Sequence, residues 1–103
     1  MAAKIGFVYI ISNKNRTTFY IGVTNNIVRR MEEHKIGKGC IFSKKYNLID
    51  LMYYERIIGF MNAIDREKQL KRWHRDWKIN LIKEMNPEMK DLSEEWNFLK
   101  DEV

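Results

Sequence analysis

Residues 6–23 read GFVYIISNKNRTTFYIGV, two apolar runs rich in β-branched and aromatic side chains around a short polar interruption. Such runs favour extended backbone, so Gly6–Ser12 and Thr17–Val23 are expected as strands. Asn13-Lys14-Asn15-Arg16 supplies turn residues, and the whole segment reads as a β-hairpin. With the turn centred between Lys14 and Asn15, Tyr9 is expected directly opposite Tyr20, beside Gly22. An odd-length loop would shift that register.

Working outward, Thr24 or Asn25 can cap a helix over about residues 26–35, with Ile27, Val28 and Met31 as its apolar stripe. Gly37 and Gly39 break it and open a basic loop that runs to Asn47. A third strand is expected at about 48–56, then a helix from about Asn62 to Trp73 with Ala63, Ile64, Leu70 and Trp73 inward. A last helix over about 76–85 carries Trp77, Leu81, Ile82 and Met85, and Asn86-Pro87 ends it. The order β-β-α-β-α-α implies an α+β fold, a small three-stranded antiparallel sheet flanked by helices. Residues 1–87 make one expected domain. Residues 88–103 form an acidic tail whose Leu92 and Trp96 are compatible with a short docked helix.

Composition narrows the class. The chain has 103 residues, 45% hydrophobic and 32% charged, a globular balance for one domain rather than a disordered or fibrous one. Its longest apolar run, Phe7–Ile11, is far too short to span a membrane, and no secretory signal is legible. The single cysteine, Cys40, permits no internal disulfide, and a cytoplasmic location is expected. Charge is uneven: residues up to Arg75 include fifteen Lys and Arg against six Asp and Glu, whereas the remainder has four against eight. A basic body with an acidic tail suits a polyanionic partner such as nucleic acid, or a surface tuned for solubility.

Several residue types could carry chemistry. Arg30 and His34 are four apart and share one helix face; an Arg fork can grip a phosphate and a histidine can relay a proton. Glu67 borders the inner face of the Asn62–Trp73 helix, where a carboxylate needs either an ion-pair partner or a divalent cation. Lys35, Lys38, Lys44 and Lys45 fit a loop that binds a phosphate backbone, and Lys71 joins them as a nucleic-acid-binding candidate. Trp73 and Trp77 suit core packing better than base stacking. Taken singly, these residues read as a sheet-stabilising aromatic pair, surface charges and an ion pair.

Together they resemble the GIY-YIG nuclease family. Its first motif corresponds to Phe7-Val8-Tyr9, its second stands intact as Tyr20-Ile21-Gly22, and Arg30, His34 and Glu67 match the family's further positions. The stretch YIGVTNNIVRRMEEHKIGKGCIFSKKYNL is especially similar to small single-domain bacterial members. The resemblance covers about residues 5–87. It implies metal-dependent hydrolysis of DNA phosphodiesters in repair, recombination or degradation, with Glu67 holding a single Mg²⁺ or Mn²⁺ and Arg30 on the scissile phosphate. It also implies Tyr20 as general base, Tyr9 orienting the water or phosphate, and His34 bonding a tyrosine hydroxyl or aiding proton transfer. Where some members carry a lysine after the second motif, this chain has Val23; a late asparagine would be Asn80 or Asn86. A binding module of the same fold without cleavage is the alternative.

Overall fold

The computed structural model describes residues 4–96. Three antiparallel strands, β1 (Ile5–Ser12), β2 (Phe19–Thr24) and β3 (Asp50–Ile58), form a sheet in the order β2-β1-β3. Helices α1 (Ile27–Lys35), α2 (Ile41–Lys45), α3 (Phe60–Arg72) and α4 (Arg75–Met85) accompany it. The β-β-α-β-α-α order holds, with the five-residue α2 added inside the segment expected to be a basic loop. Among the described residues no helix is long and apolar enough to cross a membrane.

Alternation along β1 divides the core. Val8 and Ile10 face Ile21, Met52, Ala63, Leu70 and Ile82, the side covered by α3 and α4. Tyr9 and Ile11 face Ile27, Met31, Leu48 and Leu51 on the other side. Every one of these side chains is buried, which is why the central strand is apolar on both faces.

The hairpin register differs from expectation. Tyr9 pairs with Gly22, and Tyr20 with Ile11. The turn is longer than a four-residue one because Asn13 clamps it: its Oδ1 accepts from the amides of Thr17 (2.9 Å) and Thr18 (3.2 Å). Arg16 takes a left-handed φ of 58° within that turn and reaches Asp50 at 2.6 Å and the Met89 carbonyl at 2.9 Å. A two-residue slip preserves side-chain parity, so Tyr9 and Tyr20 still lie on one face, diagonally rather than directly opposed.

Other boundaries move by a residue or two. Asn26, rather than Thr24 or Asn25, caps α1, its side chain accepting from the Arg29 amide at 3.0 Å. Val28 lies outside the expected apolar stripe at 48% exposure, and Trp77 and Met85 likewise face outward. Asp91 ties the chain after α4 back to the sheet: it accepts from the Leu51 amide and pairs with Lys35 at 2.6 Å. Residues 92–96 are turns and a bend, with Leu92 and Trp96 packed beside Tyr54 and the Tyr9 side of the core; residues 97–103 of the tail lie outside the described residues.

Candidate active site

Tyr9 stands at the centre of the site. Its ring crosses beneath β2 at Gly22, where a Cβ would come within 2.5 Å of both Tyr9 Cζ and Oη. The glycine is therefore the opening through which the phenol extends from the sheet toward α1. There its oxygen accepts from Arg30 Nε at 3.2 Å and lies 3.1 Å from His34 Nε2. The four-residue spacing on α1 puts both groups on the same hydroxyl, as helix geometry requires.

The proton positions follow from the partners. With the Ser43 hydroxyl assigned as donor to the Cys40 carbonyl at 3.0 Å, its oxygen accepts from His34 Nδ1, 3.1 Å away. Nδ1 then carries the imidazole proton, and Nε2 is free to accept from the Tyr9 hydroxyl. Tyr9 Oη in turn accepts from Arg30. The chain of bonds runs one way, from a guanidinium that can only donate to a carbonyl that can only accept. Gly39 leaves the room for it, because a Cβ there would collide with His34 and Ser43. Ser43 is absent from the expected site because it lies in what reads as loop; the Cys40–Ser43 cap of α2 is the local signal for it.

Burial sets the charge states. It lowers His34 from its ordinary value to about 4, with the Arg30 charge acting in the same direction, so the imidazole is neutral at pH 7. Burial raises the Tyr9 phenol despite the Arg30 hydrogen bond. Burial also opposes the charge on Arg30, but the Tyr9 hydroxyl and Glu33 outweigh it and hold the guanidinium more firmly protonated. A histidine lowered in the folded state destabilises that state as pH falls, because the unfolded chain binds the proton first. Stability should therefore decline between about pH 6.5 and 4, by on the order of 2–3 kcal/mol, with the lowered carboxylates Glu55 and Asp91 adding to the loss only from about pH 5 downward. Chemical unfolding across this range should show the decline in the wild type and lose most of it in His34→Gln; an identical profile in both would contradict the assignment.

Tyr20 occupies the free edge of β2, in an open cleft of about 300 Å³ lined by Phe42, Lys71 and Lys78. Its ring stacks on Phe42 of α2 with centroids 5.9 Å apart, and Lys71 Nζ lies 5.9 Å from its centroid on α3. Burial pushes its phenol above the ordinary range, reinforced by the neighbouring Cys40 thiol and the Glu67 carboxylate. Tyr9, 1% exposed, has no such access to solvent.

Glu67 comes from α3, packed on the opposite side of the sheet, and reaches the site at this edge. Its side chain is 15% exposed, and Lys71 Nζ at 3.5 Å is its only partner among the described residues. Its charge is felt by both tyrosines. Among the described residues no three His, Cys, Asp or Glu side chains gather as a metal cage. A largely buried carboxylate whose ion pair with Lys71 leaves acceptor capacity to spare would suit a hard cation that keeps most of its waters.

The structure thus gathers Tyr9, Arg30 and His34 by direct bonds, and Tyr20, Lys71 and Glu67 along the adjoining edge. Lys38, Lys44 and Lys45 are exposed nearby on the chain around α2. Lys35 is held by Asp91 and the Ile49 carbonyl. Asn86 is buried and bonds the Met52 and Lys90 backbone, whereas Asn80 is exposed. Trp73 packs on the core and Trp77 stands half out of it.

Residues 5–80 match the GIY-YIG catalytic domain. A UPF0213 protein of Syntrophus aciditrophicus is 36% identical over 83 residues, covering 80% of this chain and 93% of that protein. A UPF0213 protein of Staphylococcus haemolyticus is 32% identical over 78 residues, 76% of this chain and 94% of that one. The solution NMR structure of a UPF0213 protein from Bacillus halodurans shares the fold, with a TM-score of 0.54 and 22% identity over 88% of this chain and 97% of that chain.

Proposed function

This chain belongs to the GIY-YIG family, typically nucleases that use divalent metals, and on that premise we propose that it is a metal-dependent endonuclease that hydrolyses DNA phosphodiester bonds. The observation that carries this reading is the convergence on Tyr9 of Arg30 and His34, beside an edge that carries Tyr20 and Glu67.

In this reading Arg30 is the phosphate ligand. Its Nε is anchored on Tyr9 and one terminal nitrogen on Glu33 at 3.2 Å, which fixes the plane of the guanidinium and leaves further N–H groups to meet the scissile phosphate and the charge that grows on it. Tyr9 and His34 act through Arg30: they position it, since their own hydrogen-bonding groups are engaged. Tyr20 is the general base, because it is the tyrosine that borders the open cleft. As its phenolate it accepts the proton of the attacking water, whose oxygen bonds to phosphorus while the bond to the leaving sugar oxygen breaks; that oxygen is protonated by solvent.

A phenol above its ordinary pKa of about 10 makes this costly, by more than about 4 kcal/mol at pH 7. Lys71 beside the ring supplies part of the required positive charge. Glu67 would hold Mg²⁺ or Mn²⁺, which would supply further positive charge and Lewis-acid polarisation of the phosphate. Lys38, Lys44, Lys45 and Lys71 contact the DNA backbone, and Lys35, already paired, contributes to folding instead. A DNA substrate and a free thiol at Cys40 fit a cytoplasmic protein.

The purified chain should cut labelled DNA in Mg²⁺ or Mn²⁺ and stop when a chelator is added. Salt-sensitive DNA binding with no cleavage under either metal would instead make it a binding module of the same fold.

A further inference from the structure

Phe42 and Tyr46 sit where burial does not explain them. They remain 43% and 42% exposed, large apolar rings left in contact with solvent. They continue a line of rings that starts in the candidate active site: Tyr20 stacks on Phe42 at 5.9 Å and 29°, and Tyr46 leans on Phe42 at 4.7 Å. Phe42 on α2 and Tyr46 at its C-cap thus extend the aromatic row from Tyr20 to a partly exposed end.

The charge around this row selects what can lie on it. No Asp or Glu occurs between Lys35 and Ile49. Lys45 Nζ lies 5.4 Å from the Tyr46 ring centre and Lys71 Nζ 5.9 Å from that of Tyr20, with Lys38 and Lys44 exposed on the same stretch. An apolar protein surface docked here would leave the ammonium groups of Lys38, Lys44 and Lys45 without counter-charge. An unpaired nucleic-acid strand satisfies both features, placing bases on the rings and phosphates near the lysines. Duplex DNA cannot use the rings, because its base faces are already stacked on one another.

We propose that Phe42 and Tyr46 form a stacking platform for unpaired bases beside the scissile phosphate, so that the substrate is a single strand of DNA or a duplex with an unpaired flap or end. The position of the cut rests on the nuclease reading above; the stacking itself does not.

The test is therefore made on binding, in chelator, with the full chain. A single-stranded oligonucleotide should bind at least about tenfold more tightly than a duplex of the same sequence, and a fluorescent adenine analogue in it should be quenched on binding. The double variant Phe42→Leu/Tyr46→Leu keeps apolar bulk without aromatic faces. It should lose about tenfold or more on the single strand, little on the duplex, and the quenching. Lys44→Ala/Lys45→Ala should instead weaken both forms and flatten the salt dependence. Equal affinity for single strand and duplex, unchanged in the leucine variant, would overturn the proposal. Should that variant not fold, absence of quenching on the wild-type protein would overturn it equally. Stacking without any cleavage in Mg²⁺ or Mn²⁺ would sink the nuclease reading and leave the platform standing.

Discussion

Arg30→Lys is expected to lower DNA cleavage by about 10²–10³-fold, with the protein still folded and still binding DNA. A lysine keeps the charge but loses the planar fork. Arg30 bonds Tyr9 through Nε and Glu33 through a terminal nitrogen, and only a guanidinium can do both and retain N–H groups for a phosphate. A lysine ammonium in its place would either stay on the Tyr9 hydroxyl or turn to the substrate. Single-turnover cleavage beside an equilibrium binding measurement separates the two effects: the rate should collapse while affinity changes by a few fold. Equal loss of both would mean that Arg30 serves general DNA attraction rather than the reacting phosphate.

Gly22→Ala should damage both stability and chemistry. The added methyl would lie 2.5 Å from Tyr9 Cζ and Oη, and both residues are buried, so the ring must move. Overpacking of this kind costs about 1–3 kcal/mol. Displacing the phenol also breaks its bonds to Arg30 and His34, and a shift near 1 Å in a positioned group is worth about a hundredfold in rate. Adding Tyr9→Leu to Gly22→Ala removes the collision and should recover part of the stability without recovering cleavage. If Gly22→Ala alone melts and cuts like the wild type, Tyr9 does not need the path across β2.

Much of this arrangement is legible in the sequence, and the exceptions have identifiable causes. The strands of the hairpin follow from runs of β-branched and aromatic residues, but its register depends on how Asn13 folds its side chain over the turn, which no period reports. Since a two-residue slip keeps every side chain on its face, Tyr9 and Tyr20 remain neighbours even though the expected direct pairing fails. Arg30 and His34 are readable from their spacing, whereas the reason for Gly22 is a contact across two strands. The five-residue α2 is invisible because its cap is Cys40, a weak helix-start signal, and with it go Ser43 and the aromatic row. Lys35 reads by charge like the other lysines of its stretch, and its tertiary contact with Asp91, 56 residues later, is a pairing that no local pattern reports. Val28 and Trp77 show the limit of helical period: the stripe is right in phase, but the sheet covers less of each helix than the apolar residues would allow.

Glu67 and Tyr20 are expected to act at one centre. The direct measurement is single-turnover cleavage of labelled DNA in Mg²⁺ or Mn²⁺ by the wild type, Glu67→Gln and Tyr20→Phe, each verified as folded by its unfolding transition. Metal-dependent cutting by the wild type, with both variants slowed by at least about a thousandfold, is the predicted result. Cutting that survives Glu67→Gln, or a folded wild type that binds DNA and cuts nothing in either metal, would contradict it.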